Sequence, residues 1–211
     1  MADRFEYAPD SSPERKRPKH EPKPEPCRSV IRLCFPKGLM DKELLEITTN
    51  LAHQVKADPR KKPGGLAKDL TKLHGFADLH NEGAEGPQDD RLGTARIDTE
   101  PSDPKGPQGE KAPIRILSIY GQRYGGKPGG ERDSSAAREE YFKNGLDDIK
   151  RQVPDLESIA FPEKIGCGIG GGDWRTYQKM ICKFARDMPG CTVYIVSLAL
   201  VPVRVFFGGG A

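Results

Sequence analysis

The stretch Ser158–Ile181, SIAFPEKIGCGIGGGDWRTYQKMI, limits the fold of this chain more than any other. It opens on a short apolar run, Ile159-Ala160-Phe161, which reads as a buried strand. A turn dense in glycine follows, with Gly166, Gly168, Gly170, Gly171 and Gly172. Tyr177, Met180, Ile181 and Phe184 then recur at the spacing of one helix face, predicting a helix to about Arg186. Strand, glycine loop and helix in that order make an anion site. Glycines let backbone approach a phosphate, and the helix start offers unpaired N–H groups and a positive dipole. The expectation is a loop that holds a phosphate-bearing ligand.

A second unit of the same kind lies upstream. Asn50–Val55 (NLAHQV) reads as a short buried strand, and a basic loop from Lys56 through Asp58, Arg60 and Lys62 ends in Gly64-Gly65. Leu66, Leu70 and Leu73 then follow at helical spacing. Taken alone, Gly64-Gly65 is as readily a plain turn as a binding element. The apolar runs Cys27–Phe35, Leu92–Ile97, Ile114–Tyr120 and Cys191–Leu198 supply further strands. Asp41–Thr49 reads either as a short helix or as a turn. Ser134 or Ser135 caps a helix whose buried stripe is Phe142, Leu146, Ile149 and Val153. Strands alternating with helices, and glycine loops at strand ends, describe an α/β domain with one ligand crevice.

The domain runs over about 27–200. An arm, 1–26, is too rich in proline and balanced charge to bury a core. Its cluster Arg15-Lys16-Arg17-Pro18-Lys19 reads as a flexible tether or a nuclear-import signal, the tether being the simpler account. A polar insertion spans about 80–113. The apolar tail at 201–211, with Val201–Phe207, adds an edge strand or meets a protein partner.

Charge and cysteine usage exclude several classes. A net charge of +3 from 34 basic and 31 acidic residues is too balanced to argue for nucleic acid. The five cysteines form no CxxC pair and the four histidines do not gather near them, so neither a metal site nor a disulfide framework is expected. No apolar run is long enough for a membrane span. An intracellular protein, cytoplasmic or nuclear, is the expectation. Gly166, Gly168 and Gly171 satisfy GxGxxG, but that fingerprint belongs to the first βα turn of a longer domain. No GxxxxGK[ST] occurs anywhere in the chain.

Four islands resemble the macro-domain superfamily, in the branch of ADP-ribose 1''-phosphate phosphatases and related ADP-ribose-processing proteins. They are Ala52-His53-Gln54-Val55, Gly64-Gly65-Leu66-Ala67-Lys68, Tyr120-Gly121-Gln122 with Tyr124-Gly125, and Ile165–Trp174. The last is the most specific. The resemblance implies a three-layer α/β/α domain around a mixed sheet that binds ADP-ribose or a related nucleotide diphosphate without a cofactor. By that likeness Gly166, Cys167, Gly168, Ile169, Gly170 and Gly171 wrap the diphosphate or distal ribose, with Gly64, Gly65 and Leu66 facing them. Tyr120, Gln122, Tyr124 and Gly125, with Phe161 and Trp174, complete the implied ligand wall.

Asp173 and His53 are the candidates for proton transfer at the distal ribose, and hydrolysis of ADP-ribose 1''-phosphate or protein-linked ADP-ribose would need them. A helix N-cap is an equal reading of Asp173, and a core histidine is the stronger reading of His53. The chain departs from the family where an Asn and a small-residue run are usual: it carries Lys56-Ala57-Asp58-Pro59-Arg60-Lys61-Lys62. The family's Gly-Asp near the first strand is missing too, with Glu43 the nearest acidic substitute. The alternative is therefore a degenerate macro-like domain with a structural or assembly role.

Overall fold

In the computed structural model, residues 30–60, 62–78, 85–101 and 112–199 are described. The arm 1–26, parts of the polar insertion (80–84 and 102–111) and the tail 201–211 fall outside them. Six strands and three α-helices follow in the order β1 (Val30–Phe35), β2 (Asn50–Lys56), α1 (Gly65–Leu73), β3 (Ala95–Thr99), β4 (Arg115–Gln122), α2 (Ser135–Gln152), β5 (Ser158–Pro162), α3 (Trp174–Asp187) and β6 (Thr192–Leu198). Asp41–Thr49 is a turn region, with a single 3-10 turn at Leu44–Glu46.

One sheet carries the strands in the order β1-β6-β5-β2-β4-β3. All neighbours run parallel except β3, which lies antiparallel on β4. The sheet is therefore mixed, and it is covered on both faces. Ile181 and Phe184 of α3, with Phe142, Leu146 and Ile149 of α2, pack against Ala52, Leu117, Ile159 and Val193 on one face. On the other, Leu70 of α1, with Leu39 and Leu44, covers Leu51, Ile116 and Ala160. Alternate residues of β2 thus serve opposite layers, as the period of two in a strand requires. The result is a three-layer α/β/α domain.

Two sequence expectations shift. Leu73 is 55% exposed, because α1 ends there and the chain turns at His74, which is buried in its place. The strand expected at Leu92–Ile97 begins at Ala95, since Gly93 takes a left-handed φ of 78° that breaks extension. Among the described residues no helix is long and apolar enough to cross a membrane.

β2 sits between β4 and β5, and the helices that follow β2 and β5 cross to opposite faces. Such a divergence opens a crevice over the carboxyl ends of the strands. Both glycine units lie at those ends.

Candidate ligand crevice

Two adjoining hollows of about 330 and 300 Å³ lie over the strand ends and share His53, Gln54, Gly64, Ala67, Gln122, Ile169 and Gly170. They form one crevice. The β5–α3 loop borders it along Gly166, Gly168, Ile169 and Gly170. The β2–α1 loop borders it from Lys56 to Gly65 and Leu66.

The β5–α3 loop owes its shape to what lies beneath it. Gly166 has a φ of 70°, and a Cβ there would stand 2.5 Å from Gln54 Oε1 and 2.7 Å from Tyr177 Cε1. Only glycine fits. Gly172 N–H donates to the Gly166 carbonyl at 3.0 Å and Gly171 N–H to that of Gly168 at 3.1 Å, closing the loop on itself. The Gln54 side chain passes under Gly121 as well, where a Cβ would lie 2.7 Å from its Cδ. Gln54 Oε1 and the Tyr177 hydroxyl are both buried; Gln54 acts on the phenol, but neither group has a hydrogen bond of good geometry. Burial, with Cys167 beside it, pushes the Tyr177 phenol up to about 12, so it stays neutral.

The β2–α1 loop is held by its own charges. Asp58 is buried, and its carboxylate accepts the Arg60 backbone N–H at 3.1 Å and Nε and Nη2 at 2.9 Å each. The Arg60 side chain holds the Asp58 carboxyl below its ordinary range. Ala57 and Asp58 N–H groups donate to the Gln122 and Arg123 carbonyls, at 2.8 and 3.1 Å, which ties the loop root to β4.

The third wall is the β4–α2 loop, whose Tyr124 and Gly125 the resemblance implied; what holds it, Arg138 with Asp133, was not legible as part of the site. Arg138 is 1% exposed and its guanidinium meets the Asp133 carboxylate, itself buried. The same group donates to the carbonyls of Gly126 at 2.8 Å, Gly170 at 3.0 Å and Tyr124 at 3.2 Å. Arg123 donates to both Asp89 carboxylate oxygens, at 2.6 and 2.8 Å, and covers the Tyr124 ring at 5.1 Å. Arg91 does the same for Tyr120, 5.5 Å from the ring centre and bonded to its hydroxyl at 2.9 Å. The one sequence signal for Arg138 itself is a cation early in α2, where the helix dipole disfavours it.

The expected site residues divide. His53, Gly64, Gly65, Leu66, Tyr120, Gln122, Tyr124, Gly125, Gly166, Gly168, Ile169 and Gly170 border the crevice. Phe161 is fully buried, and Trp174 packs on the same core. Gly171 turns beside Pro128, a Cβ on it meeting that ring at 2.8 Å. The Cys167 thiol donates to the Ile165 carbonyl at 3.1 Å, and burial with nearby Asp173 and Glu139 pushes it up to about 12. It is a thiol, not a thiolate. Asp173 holds the N-cap position of α3, exposed, with its carboxylate accepting the Thr176 hydroxyl at 3.0 Å. These five stand outside the lining of both hollows. Glu43 is exposed and also outside it.

His53 borders both hollows but is buried. Its Nε2 lies 2.9 Å from Ser118 Oγ, its Nδ1 has no partner, and desolvation lowers its pKa to about 4. It is neutral at physiological pH.

No family model matches the sequence, and no curated relative does. Solved structures do. The macrodomain of Mycobacterium tuberculosis DarG superposes with a TM-score of 0.53 at 16% identity, over 79% of this chain and 96% of its own. The macrodomain of Thermus aquaticus DarG gives 0.53 at 19% identity, over 79% and 98%. A Bacteroides thetaiotaomicron protein of unknown function gives 0.52 at 14%, over 80% and 98%.

Proposed function

We propose that this chain, which has the macro-domain fold, binds ADP-ribose or a related nucleotide diphosphate. The observation that carries the reading is two glycine-bearing loops, Gly64–Gly65 and Gly166–Gly170, bordering one crevice at the carboxyl ends of β2 and β5. That arrangement lets backbone approach a diphosphate from both loops. Charge agrees with it. Lys56, Lys62 and Arg91 border the larger hollow, where the carboxylate is Asp58, already met by Arg60. An anion is drawn to such a wall.

The reading is of binding without turnover. A general base must be unprotonated, within reach and close to neutral in pKa. His53 meets the first condition, but with a pKa of about 4 it is a feeble proton acceptor. Cys167 keeps its proton, and Asp173 stands outside the lining. Calorimetric titration with ADP-ribose tests the binding, and no heat at millimolar ligand sinks it. Incubation with ADP-ribose 1''-phosphate and with an ADP-ribosylated protein tests the rest, and release of phosphate or ADP-ribose overturns the non-catalytic half.

One observation favours a second reading, an assembly role with a decayed pocket. The β2–α1 loop spends its buried carboxylate on Arg60 rather than leaving it to a ligand. Light scattering separates the two: a monomer that binds ADP-ribose excludes the assembly role.

A further inference from the structure

We propose that Arg138 is a positioning residue that sets the spacing between the β4–α2 and β5–α3 loops, and through it the lifetime of the ligand in the crevice. The inference rests on the ADP-ribose reading for its binding measurement, and on the loops themselves for the rest.

A cation in the first turn of a helix opposes the dipole, and one that is 1% exposed has lost its water. Asp133 offsets that loss, accepting from Nε and Nη2. A single carboxylate engages only those two of the guanidinium's donors. An arginine has five N–H groups in one rigid plane, and here the others reach backbone carbonyls on two separate loops. Nη1 is shared between Gly126 at 2.8 Å and Gly170 at 3.0 Å, and Nη2 also reaches Tyr124 at 3.2 Å and Lys127 at 3.4 Å. Tyr124, Gly126 and Gly170 all border the larger hollow. One planar group therefore joins two of its walls at a fixed separation. Asp133 adds to the same hold, because its Oδ1 also accepts the Arg123 N–H at 2.8 Å.

A merely structural arginine would have to satisfy Asp133 and nothing more. This one also reaches the loop that the Gln54–Tyr177 pair supports from below, so the β5–α3 loop is fixed from two sides. Lysine can keep the charge opposite Asp133 but cannot span both loops, since its three donors radiate from one atom.

The variant Arg138→Lys tests this beside Ile181→Val, a substitution at a fully buried core position of α3 that lowers stability but leaves the Arg138 hydrogen bonds in place. Arg138→Lys should weaken ADP-ribose binding at least about ten-fold, the loss of charged hydrogen bonds, mostly as faster dissociation. Amides of 124–127 and 166–172 should exchange hydrogen faster than in Ile181→Val at equal distance from each variant's Tm. Equal affinity and equal loop exchange in the two variants overturn the proposal. Should the wild type itself fail to bind ADP-ribose, the functional reading falls while the exchange contrast still decides the role of Arg138. Should Arg138→Lys fail to fold, NMR of the wild type decides instead. The Arg138 guanidinium protons should be resolved and slow to exchange, and rotation as fast as that of surface Arg186 overturns the idea.

Discussion

The β5–α3 loop and the β2–α1 loop border one crevice, and different forces hold them. The first is a backbone draped over fixed side chains: Gly166 rests on Gln54 and Tyr177, Gly171 on Pro128, and Arg138 grips the Gly170 carbonyl. Its shape is set by close packing, which tolerates no added atom. The second is a longer, charged span fastened by Asp58 to Arg60 and by two backbone bonds to β4. Its glycines are loose, for a Cβ on Gly64 or Gly65 meets nothing within 4 Å. The lesson is that glycine-rich sequence marks two physical situations. In one, glycine is there because the space is full; in the other, because the chain has to turn.

Alanine at one glycine of each loop breaks the comparison or sharpens it. Gly166→Ala forces a Cβ into Gln54 and Tyr177 at a left-handed φ. Conformational strain and overpacking together should cost about 2–5 kcal/mol. Gly64 has an ordinary φ of −117° and open space, so Gly64→Ala should stay within about 0.5 kcal/mol of the wild type. Urea unfolding of both decides it. Equal effects would mean that the two loops are fixed alike.

The strand between the loops gives the next effect. His53 is lowered from 6.5 to about 4 by burial, so the unfolded chain takes up a proton that the folded chain refuses. Stability from this source is complete above about pH 6.5 and declines as pH falls toward 4, by about 3 kcal/mol in all. His74 is lowered as well, chiefly by burial, and declines in the same direction. His53→Gln isolates the contribution of His53. Its unfolding free energy should be flatter than the wild type's between about pH 6.5 and 4, and an unchanged slope would remove His53 as the cause.

The layers of this fold were legible because they rest on local periodicity. Tyr177, Ile181 and Phe184 repeat along α3, and Phe142, Leu146 and Ile149 along α2, and all six are buried. The strand β3 was expected but its bounds were not: it is a short edge strand with Arg96 and Asp98 paired to each other at 2.9 Å, so its apolar signal is faint beyond Ile97. The glycine loops and the residues under them stood out as motifs. What joins them did not. Gln54, Gly121 and Gly166 meet from three distant stretches, and Arg138 reaches Gly170 from another helix. Such contacts follow from strand order, and no local pattern in the sequence encodes them. A polar residue inside an otherwise amphipathic helix, as Arg138 is, reads as solvated until the loop that folds over it is known.

The smallest effect belongs to the charged clamp of the β2–α1 loop, and it tests whether that loop is held by charge at all. Arg60 is half exposed, so its pairing with Asp58 is weakened by solvent and salt. The Asp58 carboxyl is nonetheless held below its ordinary range, first by the Arg60 side chain. The stability it adds is therefore present above the ordinary carboxylate value near pH 4, and is lost as pH falls through the lower value of the folded state. Asp58→Asn should lower Tm slightly at neutral pH, and the gap from the wild type should narrow as pH falls below the ordinary carboxylate value and shrink in high salt. A gap that survives both conditions would mean the loop is fixed by packing after all, and would erase the difference between the two loops.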